Sequence, residues 1–171
     1  YQAVRSGGIM GEEAGQREAE LIFRWMGLAD IDAIVALEQV CFSTPWSRAT
    51  FEEELNYNDL AHYLIAEWQG HIVGYAGMWV VCNEAHVMNV AIDPAYRGQG
   101  WGRQMMLALI CRAQVLGAES MTLEVRVSNQ AARTLYAKMG FVEYGNRPGY
   151  YSEPKEDALL LWLKSFDQLE L

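Results

Sequence analysis

Cysteine is scarce in this sequence, and its three copies lie too far apart to form a paired motif. Cys41, Cys82 and Cys111 include no C-x-x-C pair, and an odd number of cysteines does not build a disulfide framework. We therefore expect a protein of the reducing cytoplasm.

Long hydrophobic runs are also missing. A membrane-spanning helix needs about 20 consecutive apolar residues, whereas apolar runs here, such as Ala158 to Leu163, are far shorter, and this one has the length of a strand. Residues 1–20 lack the apolar core of a secretory signal. We expect them to be a flexible leader, in part an expression remnant or an extension upstream of Met10, with the folded domain at 21–171.

Positive charge is under-represented. The sequence has 13 Lys and Arg residues and 22 Asp and Glu residues, which gives a formal net charge of −9 at pH 7. Such a surface repels phosphate backbones, so nucleic-acid binding is disfavoured. The composition, 51% hydrophobic and 20% charged, is that of an ordinary globular protein, and 171 residues favour a single domain.

Residue patterns for metal or covalent chemistry are absent as well. His62, His71 and His86 have neither i, i+4 spacing nor cysteine partners, so no metal site is expected. The sequence has no G-x-S-x-G motif and no cysteine nucleophile signature, which disfavours a covalent intermediate.

The hydrophobic periodicity that is present predicts a mixed α/β domain. Asp30 stands at the N-cap position of a first helix, Ser47 caps a second one, and Glu52, Glu53 and Glu54 are expected to form a solvated acidic face. Strands are predicted at 21–26, 63–67, 72–81, 86–92, 119–127, 141–146 and 158–163, and the principal helices at 30–41, 100–116 and 129–139. The strands from 63 to 92 are predicted to form an antiparallel meander.

A glycine-rich loop at 97–103 lies where a strand is predicted to end and a helix to begin. Gly98, Gly100 and Gly102 let successive backbone N–H groups point into one concavity, and the helix N-terminus adds its positive end. This arrangement is typical of an anion site, although a glycine-rich turn without a ligand is the alternative. Glycine spacing excludes the Rossmann fingerprint, which needs glycine where Arg103 stands, and the Walker loop, since Trp101 follows Gly100.

The same loop resembles a known family. Arg97-x-x-Gly100-x-Gly102 is similar to the R/Q-x-x-G-x-G/A pyrophosphate loop of the GNAT superfamily of acyl-CoA-dependent N-acetyltransferases. One helix and one strand later, the segment Asn129-x-x-Ala132-x-x-Leu135-Tyr136-x-Lys138-x-Gly140-Phe141 resembles the second signature of that superfamily. Trp101 is bulkier than the aliphatic residue common inside the loop, so we expect altered packing near the cofactor.

Within the superfamily the sequence most resembles the RimI-like ribosomal-protein-alanine N-acetyltransferases, over residues 21–164. The matching segments are Pro45-Trp46-Ser47, Asn89 to Pro94, Leu123 to Arg126 with Ser128-Asn129, and Arg147-x-Gly149-Tyr150-Tyr151 followed by Asp157-Ala158. The resemblance implies the GNAT fold, a twisted mixed sheet of six or seven strands with helices on both faces. It also implies acetyl transfer from acetyl-CoA to the N-terminal alanine of a small-subunit ribosomal protein, directly within a ternary complex.

The resemblance assigns roles to particular residues. It makes Glu124 the general base and Tyr136 the general acid for the departing thiolate. Cofactor binding is assigned to the splayed strand end Val90, Ala91 and Ile92, to Arg97, Gly98, Gln99, Gly100, Trp101, Gly102 and Arg103 in the loop, and to Asn129. Trp46, Tyr150 and Tyr151 match loop regions that flank the acceptor groove.

Structural interpretations of these residues stay open at the sequence level. Strand alternation puts Glu124 on a polar face, where it pairs with Arg126 or another cation. Tyr136 fits a core aromatic, Asn129 a helix cap, and the segment 90–92 a buried β-branched strand.

Two further functions compete with the expected one. A GNAT enzyme acting on a small-molecule amine or a lysine side chain would use the same cofactor residues, and a non-catalytic acyl-CoA sensor would keep only the binding site. The expected partners are acetyl-CoA and the N-terminus of a basic ribosomal protein, because opposite net charges speed encounter. No nucleic acid, membrane or metal partner is expected, and the protein is expected to be a monomer or a weak dimer.

Overall fold

The computed structural model describes residues 19–169, which form a seven-stranded mixed sheet with α-helices on both faces. The first eighteen residues of the predicted leader lie outside the described residues. The strands are β1 (Leu21–Trp25), β2 (Ala61–Trp68), β3 (His71–Val81), β4 (Glu84–Ile92), β5 (Ser120–Arg126), β6 (Val142–Ser152) and β7 (Lys155–Leu163). The helices are α1 (Ile31–Cys41), α2 (Arg48–Tyr57), α3 (Trp101–Val115) and α4 (Gln130–Lys138).

The strand order is β1-β2-β3-β4-β5-β7-β6, and β4 and β5 are parallel whereas all other neighbours are antiparallel. The predicted meander of β2, β3 and β4 is confirmed. A parallel pair needs a long crossover, which the chain provides with the loop at 93–100 and α3.

Alternation along β2 divides the core between the two sheet faces. Tyr63 and Ile65 pack with α1 and α2, while Leu64 and Ala66 belong to the larger cluster that contains α3 and α4. Buried side chains recur along α3 at helical spacing, namely Trp101, Met105, Met106, Leu109, Ile110 and Ala113. Covering both faces explains why the central strands are nearly continuous hydrophobic runs.

Asp30 and Ser47 both stand at the predicted N-cap positions of the first two helices, but only Ser47 caps its helix through its side chain. Ser47 accepts a hydrogen bond from the Thr50 amide, as expected for an N-cap, but the Asp30 side chain forms no such bond in α1. Asp30 lies at the end of a 3-10 turn, accepts a bond from the Gly27 amide and pairs with Arg24 at 2.8 Å. Arg24 lowers the pKa of this carboxyl by hydrogen bonding.

The predicted acidic face of α2 is wrong for Glu54, which is half-buried. Its carboxylate accepts hydrogen bonds from the Tyr63 hydroxyl and the Trp79 indole, each at 2.8 Å. It also accepts one from the side-chain amide of Asn58 at 3.0 Å. A carboxylate can leave water only when such donors replace its hydration, and the sheet beneath α2 provides them.

The β6–β7 hairpin is longer than predicted. Residues 147–152, expected as a loop that contains Tyr150 and Tyr151, continue β6 with an irregular register between Arg147 and Tyr151. The alternating hydrophobic signal fails here because this part of β6 is largely exposed, so pairing with β7 and not burial holds the strand. Among residues 19–169, no helix combines the length and the apolar character needed to span a membrane.

Candidate active site

The parallel strands β4 and β5 diverge, and a cavity of about 780 Å³ lies at the opening. Their pairing is confined to Glu84, Ala85 and His86 against residues 120–122, so the later residues of β4 have no partner on this edge. Val90, Ala91 and Ile92 line the cavity, as do residues of the glycine-rich loop, β5, α4 and the α1–α2 loop. The splayed strand implied by the family resemblance is therefore present in the structure.

A β-bulge reshapes β4 at the same place. Gly77 of β3 pairs with Asn89 and Met78 pairs with Val87, so Met88 is an extra residue on β4. The bulge changes the side-chain alternation: Ala85 and Val87 pack with α3, whereas Ala91 packs with α1.

The glycine-rich loop adopts the conformation that its glycines allow. Gly98 and Gly100 both have φ near +81°, in the left-handed region, and Gly100 is the N-cap of the fifteen-residue α3. The N-terminus of α3, with its positive dipole end, lies at the cavity. These features form a site for an anion such as a pyrophosphate.

The loop residues assigned to the cofactor divide into two groups. Arg97, Gly98, Gly100, Trp101 and Gly102 line the cavity, whereas Gln99 and Arg103 are not among its lining residues. The Arg97 guanidinium donates to the backbone oxygen of Ile92 at 2.9 Å, and it also lies 3.6 Å from the Cys41 sulfur. Gln99 donates to the backbone oxygen of Tyr96 at 3.2 Å.

The large side chain of Trp101 fits into the loop because it is buried among other aromatic rings. Its indole is 9% exposed and stacks on Tyr96 with ring centroids 5.5 Å apart and an interplanar angle of 13°. Trp68 of β2 packs against both rings. The bulky residue thus anchors the start of α3 to the sheet, beneath the loop.

Glu124 is one of the β5 residues that line the cavity. Its side chain is only 6% exposed, with one carboxylate oxygen 3.0 Å from His86 Nε2 and the other 3.6 Å from the Arg147 guanidinium. Arg126, the neighbour that alternation offered as a partner, instead lies 3.5 Å from Glu156 and donates to the backbone oxygens of Glu153 and Pro154.

Tyr136 on α4 and Asn129 at its N-cap fit their structural interpretations, and both also line the cavity. The Tyr136 ring is 8% exposed and packs on Phe141, yet the residue also lines the cavity. Burial, with a smaller contribution from Tyr151, raises the pKa of Tyr136 to about 12. Asn129 caps α4 by accepting from the Ala132 amide at 3.2 Å, and it lines the cavity as well.

The α1–α2 loop reaches the cavity through Trp46, which packs on Phe51. The Trp46 amide donates to the buried Glu38 carboxylate at 2.8 Å, and Glu38 also accepts from the Tyr75 hydroxyl. Burial raises the pKa of Glu38, opposed by these hydrogen bonds. Glu38 was not identified from the sequence, because a glutamate at this position fits the polar side of an amphipathic helix.

Tyr150 and Tyr151 of β6 also line the cavity, with their ring centroids 5.0 Å apart in an edge-to-face contact. Arg147 lies 5.5 Å from the Tyr150 ring centroid, and Arg126 lies 4.1 Å from that of Tyr151. Burial is the main cause that raises the pKa of Tyr151 to about 12. Both phenols are therefore neutral at neutral pH.

His86 and Arg147, whose side chains lie beside the Glu124 carboxylate, were not assigned to the site from the sequence. Arg147 belongs to a motif that carries the family resemblance, which is a usable signal, whereas His86 has no such signal. Within residues 19–169, no group of three or more His, Cys, Asp or Glu side chains could hold a metal ion.

Comparison with known proteins agrees with this geometry. The family profile described as "Acetyltransferase (GNAT) family" matches residues 31–141. An Escherichia coli (strain K12) protein named [Ribosomal protein bS18]-alanine N-acetyltransferase is 36% identical over 136 residues, 78% of this chain and 90% of that protein. A Bacillus subtilis (strain 168) protein, provisionally given the same name, is 41% identical over 140 residues, 82% of this chain and 93% of that protein.

Solved structures show the same similarity. The crystal structure of the ribosomal-protein-S18-alanine N-acetyltransferase from Escherichia coli superposes with a TM-score of 0.77 and 32% identity, covering 84% of this chain and 93% of that one. Ard1 from Thermoplasma volcanium has a TM-score of 0.74 at 24% identity, with 88% and 98% of the two chains covered, and shares the fold.

Proposed function

Because the chain belongs to the GNAT family of acetyltransferases, among its RimI-like ribosomal-protein-alanine N-acetyltransferases, we propose that it acetylates the N-terminal alanine of a small-subunit ribosomal protein, the counterpart of bS18. Acetyltransferases of this family use acetyl-CoA as the acetyl donor. The observation that carries the proposal is the position of Glu124, an almost fully buried carboxylate in the cavity where β4 and β5 separate.

The glycine-rich loop is the proposed seat for the pyrophosphate of acetyl-CoA. Support comes from the left-handed glycines Gly98 and Gly100, from the N-terminus of α3 and from the cation Arg97. The unpaired edge of β4 at residues 90–92 offers backbone N–H and C=O groups to the pantetheine arm, and it lies on the same cavity as Asn129. Gln99 and Arg103 stay predicted cofactor residues.

Acetyl-CoA supplies its acetyl group as a thioester, which only a neutral amine attacks. An α-amino group has a pKa of about 8 in model peptides, so most of it is protonated at neutral pH. Glu124 is the proposed base that accepts this proton, directly or through a water molecule. Tyr136, kept neutral by its raised pKa, is the proposed donor of a proton to the departing sulfur.

The acceptor groove is proposed to lie between the α1–α2 loop and β6, with Trp46 on one side and Tyr150 and Tyr151 on the other. Aromatic walls of this kind bury an alanine methyl group and the first peptide unit without requiring a charged side chain. A ribosomal-protein acceptor implies a cytoplasmic location, which agrees with the three free cysteines.

The test of the acceptor is a panel of peptides and amines incubated with acetyl-CoA and analysed by mass spectrometry. We expect a mass gain of one acetyl group on peptides that start with the alanine of a small-subunit ribosomal protein. The same peptides with a blocked N-terminus control for acetylation of lysine. Acetylation confined to polyamines, free lysine or lysine side chains would contradict the proposal, and thioester binding without acetyl transfer would favour a sensor.

The base is tested by Glu124→Gln, which keeps the shape of the side chain but removes its proton-accepting charge. We expect turnover at neutral pH to fall by about 10² to 10⁴, the usual contribution of general base catalysis. The affinity for acetyl-CoA, measured by calorimetry, should stay unchanged. Glu53→Gln, which removes a carboxylate from the exposed side of α2, is the matched control. Normal turnover in Glu124→Gln would contradict the assigned role.

A further inference from the structure

A chain of polar side chains runs from Glu124 to the protein surface. His86 Nε2 lies 3.0 Å from Glu124 Oε2, and His86 Nδ1 lies 2.9 Å from Thr122 Oγ1. The Thr122 hydroxyl in turn donates to the Glu84 carboxylate at 3.4 Å. The parallel register that pairs His86 with Thr122 brings these groups onto one face of the sheet.

Two members of this series, His86 and Glu84, are more exposed to solvent than Glu124. The side chain of Glu124 is 6% exposed, that of His86 is 35% exposed, and Glu84 is an exposed residue. Thr122 is buried between them. His86 therefore connects the carboxylate in the cavity with solvent.

A carboxylate alone is a poor final acceptor for the proton of an ammonium group. In model peptides the pKa of an α-amino group is about 8, that of a glutamic acid about 4.3 and that of an imidazole about 6.5. The amine and carboxyl thus differ by nearly four pKa units, and the amine and imidazole by about one and a half. A histidine in contact with the base more than halves this mismatch.

We propose that His86 takes from Glu124 the proton that the acceptor ammonium gives up, and releases it to solvent; this rests on the proposed function. The ammonium N–H bond breaks as a Glu124 O–H bond forms, and that O–H bond then breaks as His86 Nε2–H forms. Glu124 is again a carboxylate and pairs with the imidazolium. The His86 Nε2–H bond then breaks as a solvent water molecule accepts that proton, which restores the neutral ring with its proton on Nδ1. Thr122 fits this sequence, because a hydroxyl that donates to Glu84 accepts from Nδ1–H and leaves Nε2 free to receive the proton.

The other charged and titratable groups around His86 and Glu124 favour transfer of the proton from Glu124 to His86 and on to solvent. Arg147 of β6 lies 3.6 Å from the second carboxylate oxygen, so its charge disfavours a proton held at either group. Burial is the main cause that raises the pKa values of Tyr144 and Tyr150 of β6, and the negative charge of Glu124 raises them further. Both phenols therefore stay neutral. Glu84 is the carboxylate at the outer end of the chain and stabilises the imidazolium transiently formed there.

His86→Ala tests the relay by initial rates with saturating acetyl-CoA and an alanine-starting peptide. We expect turnover near pH 7 to fall by about tenfold or more. The defect should shrink above about pH 9, where the amine arrives without its proton and needs no relay. Free imidazole should restore part of the lost turnover at neutral pH, because the deleted ring leaves room for it beside Glu124.

Two variants accompany this measurement. His86→Gln keeps a hydrogen-bonding side chain and fills the space, so its turnover should fall equally and imidazole should not restore it. His71→Gln removes a histidine from the exposed start of β3 and should behave as the wild type. Thermal unfolding and calorimetry with acetyl-CoA report whether the fold and the cofactor site of each variant are intact.

The outcomes separate the relay from the proposed function. Loss of turnover in His86→Ala with rescue by imidazole, and a defect that fades at high pH, supports the relay. An active wild type with unchanged His86→Ala, or with a defect independent of pH and of imidazole, overturns the relay alone. A wild type that acetylates no peptide N-terminus overturns the proposed function and the relay with it.

Discussion

Tyr136 combines a packing position in the core with a proposed chemical role at the cavity. Its ring belongs to the core cluster beneath α4, while its position on the cavity places a phenol at the proposed site of the leaving sulfur. A thiol has a pKa of about 8.5 in model peptides, well below the value of about 12 that burial produces for this phenol. The hydroxyl is therefore a hydrogen-bond donor throughout the neutral range, and its proton follows only as negative charge develops on the sulfur.

Removing that hydroxyl separates the two roles. We expect Tyr136→Phe to lower kcat by about 10² while leaving acetyl-CoA affinity and the unfolding temperature nearly unchanged, since the ring still fills the core. Because its pKa is raised, Tyr136 should cause no loss of wild-type activity on the alkaline side below about pH 10. Steady-state rates and thermal unfolding measure both effects.

Tyr144→Phe is the matched control, because Tyr144 is 52% exposed and packs on Trp162 outside the cavity. A less stable Tyr136→Phe whose folded fraction retains full turnover would assign Tyr136 to the core alone.

Single residues differ in how far their surroundings follow from sequence. Alternation along β5 put Glu124 on the polar face, and the structure agrees, but its ionic partners belong to strands distant in the chain. His86 is 38 positions from Glu124, and only the parallel register of β4 and β5 joins them. A pattern of neighbouring residues contains no information about such a register.

Among the elements, the pairing of β2 with β3 depends on a close approach that only glycine allows. A Cβ atom at Gly77 would lie 2.2 Å from Tyr63 Cε1, far inside contact distance, and backbone pairing puts Gly77 opposite the bulged part of β4. The Tyr63 ring is held by its stacking on Tyr75 and by the hydroxyl bond to Glu54.

We expect Gly77→Ala to lower the free energy of unfolding by about 1 to 3 kcal/mol, the usual cost of overpacking a core. The added methyl displaces Tyr63 or moves β3 away from β2. Urea unfolding followed by circular dichroism measures the loss. Gly27→Ala, whose Cβ would meet nothing closer than the Asp30 carboxylate at 3.8 Å, is the control, and equal stability of the two variants would rule out this packing account.

Helices and strands with one buried face were predictable from the sequence. Strands that are held only by backbone pairing were less predictable. Strands β2 to β5 and helices α3 and α4 agree with their predicted positions within a few residues, because buried side chains recur at the strand or helix period. The outer part of β6 was missed because pairing with β7 defines it without a hydrophobic signal.

The whole molecule has a formal net charge of −9, which bears on how it meets an acceptor. Opposite net charges speed encounter with a basic peptide, and salt screens that attraction over a Debye length of about 10 Å at 0.1 M. We expect kcat/KM for a basic alanine-starting peptide to fall several-fold between about 0.05 and 0.5 M NaCl.

An alanine-starting peptide without basic residues controls for effects of salt on the enzyme itself, and its kcat/KM should change little. Identical salt dependence of the two peptides would show that net charge does not guide the acceptor. Exclusion of nucleic acid and the expected monomer or weak dimer stay predictions.

The sequence by itself determined the family, the order of the elements and the glycine-rich turn that ends β4. These features follow from neighbouring residues, through hydrophobic period, turn conformation and motif spacing. Tertiary structure alone decided the splay of β4 from β5, the surroundings of Glu124 and the burial of Glu38 and Glu54. Those features depend on pairing and packing between segments far apart in the chain. The free energy of each such contact depends on which distant residue the folded chain places beside it, and neighbouring residues in the sequence do not specify that partner.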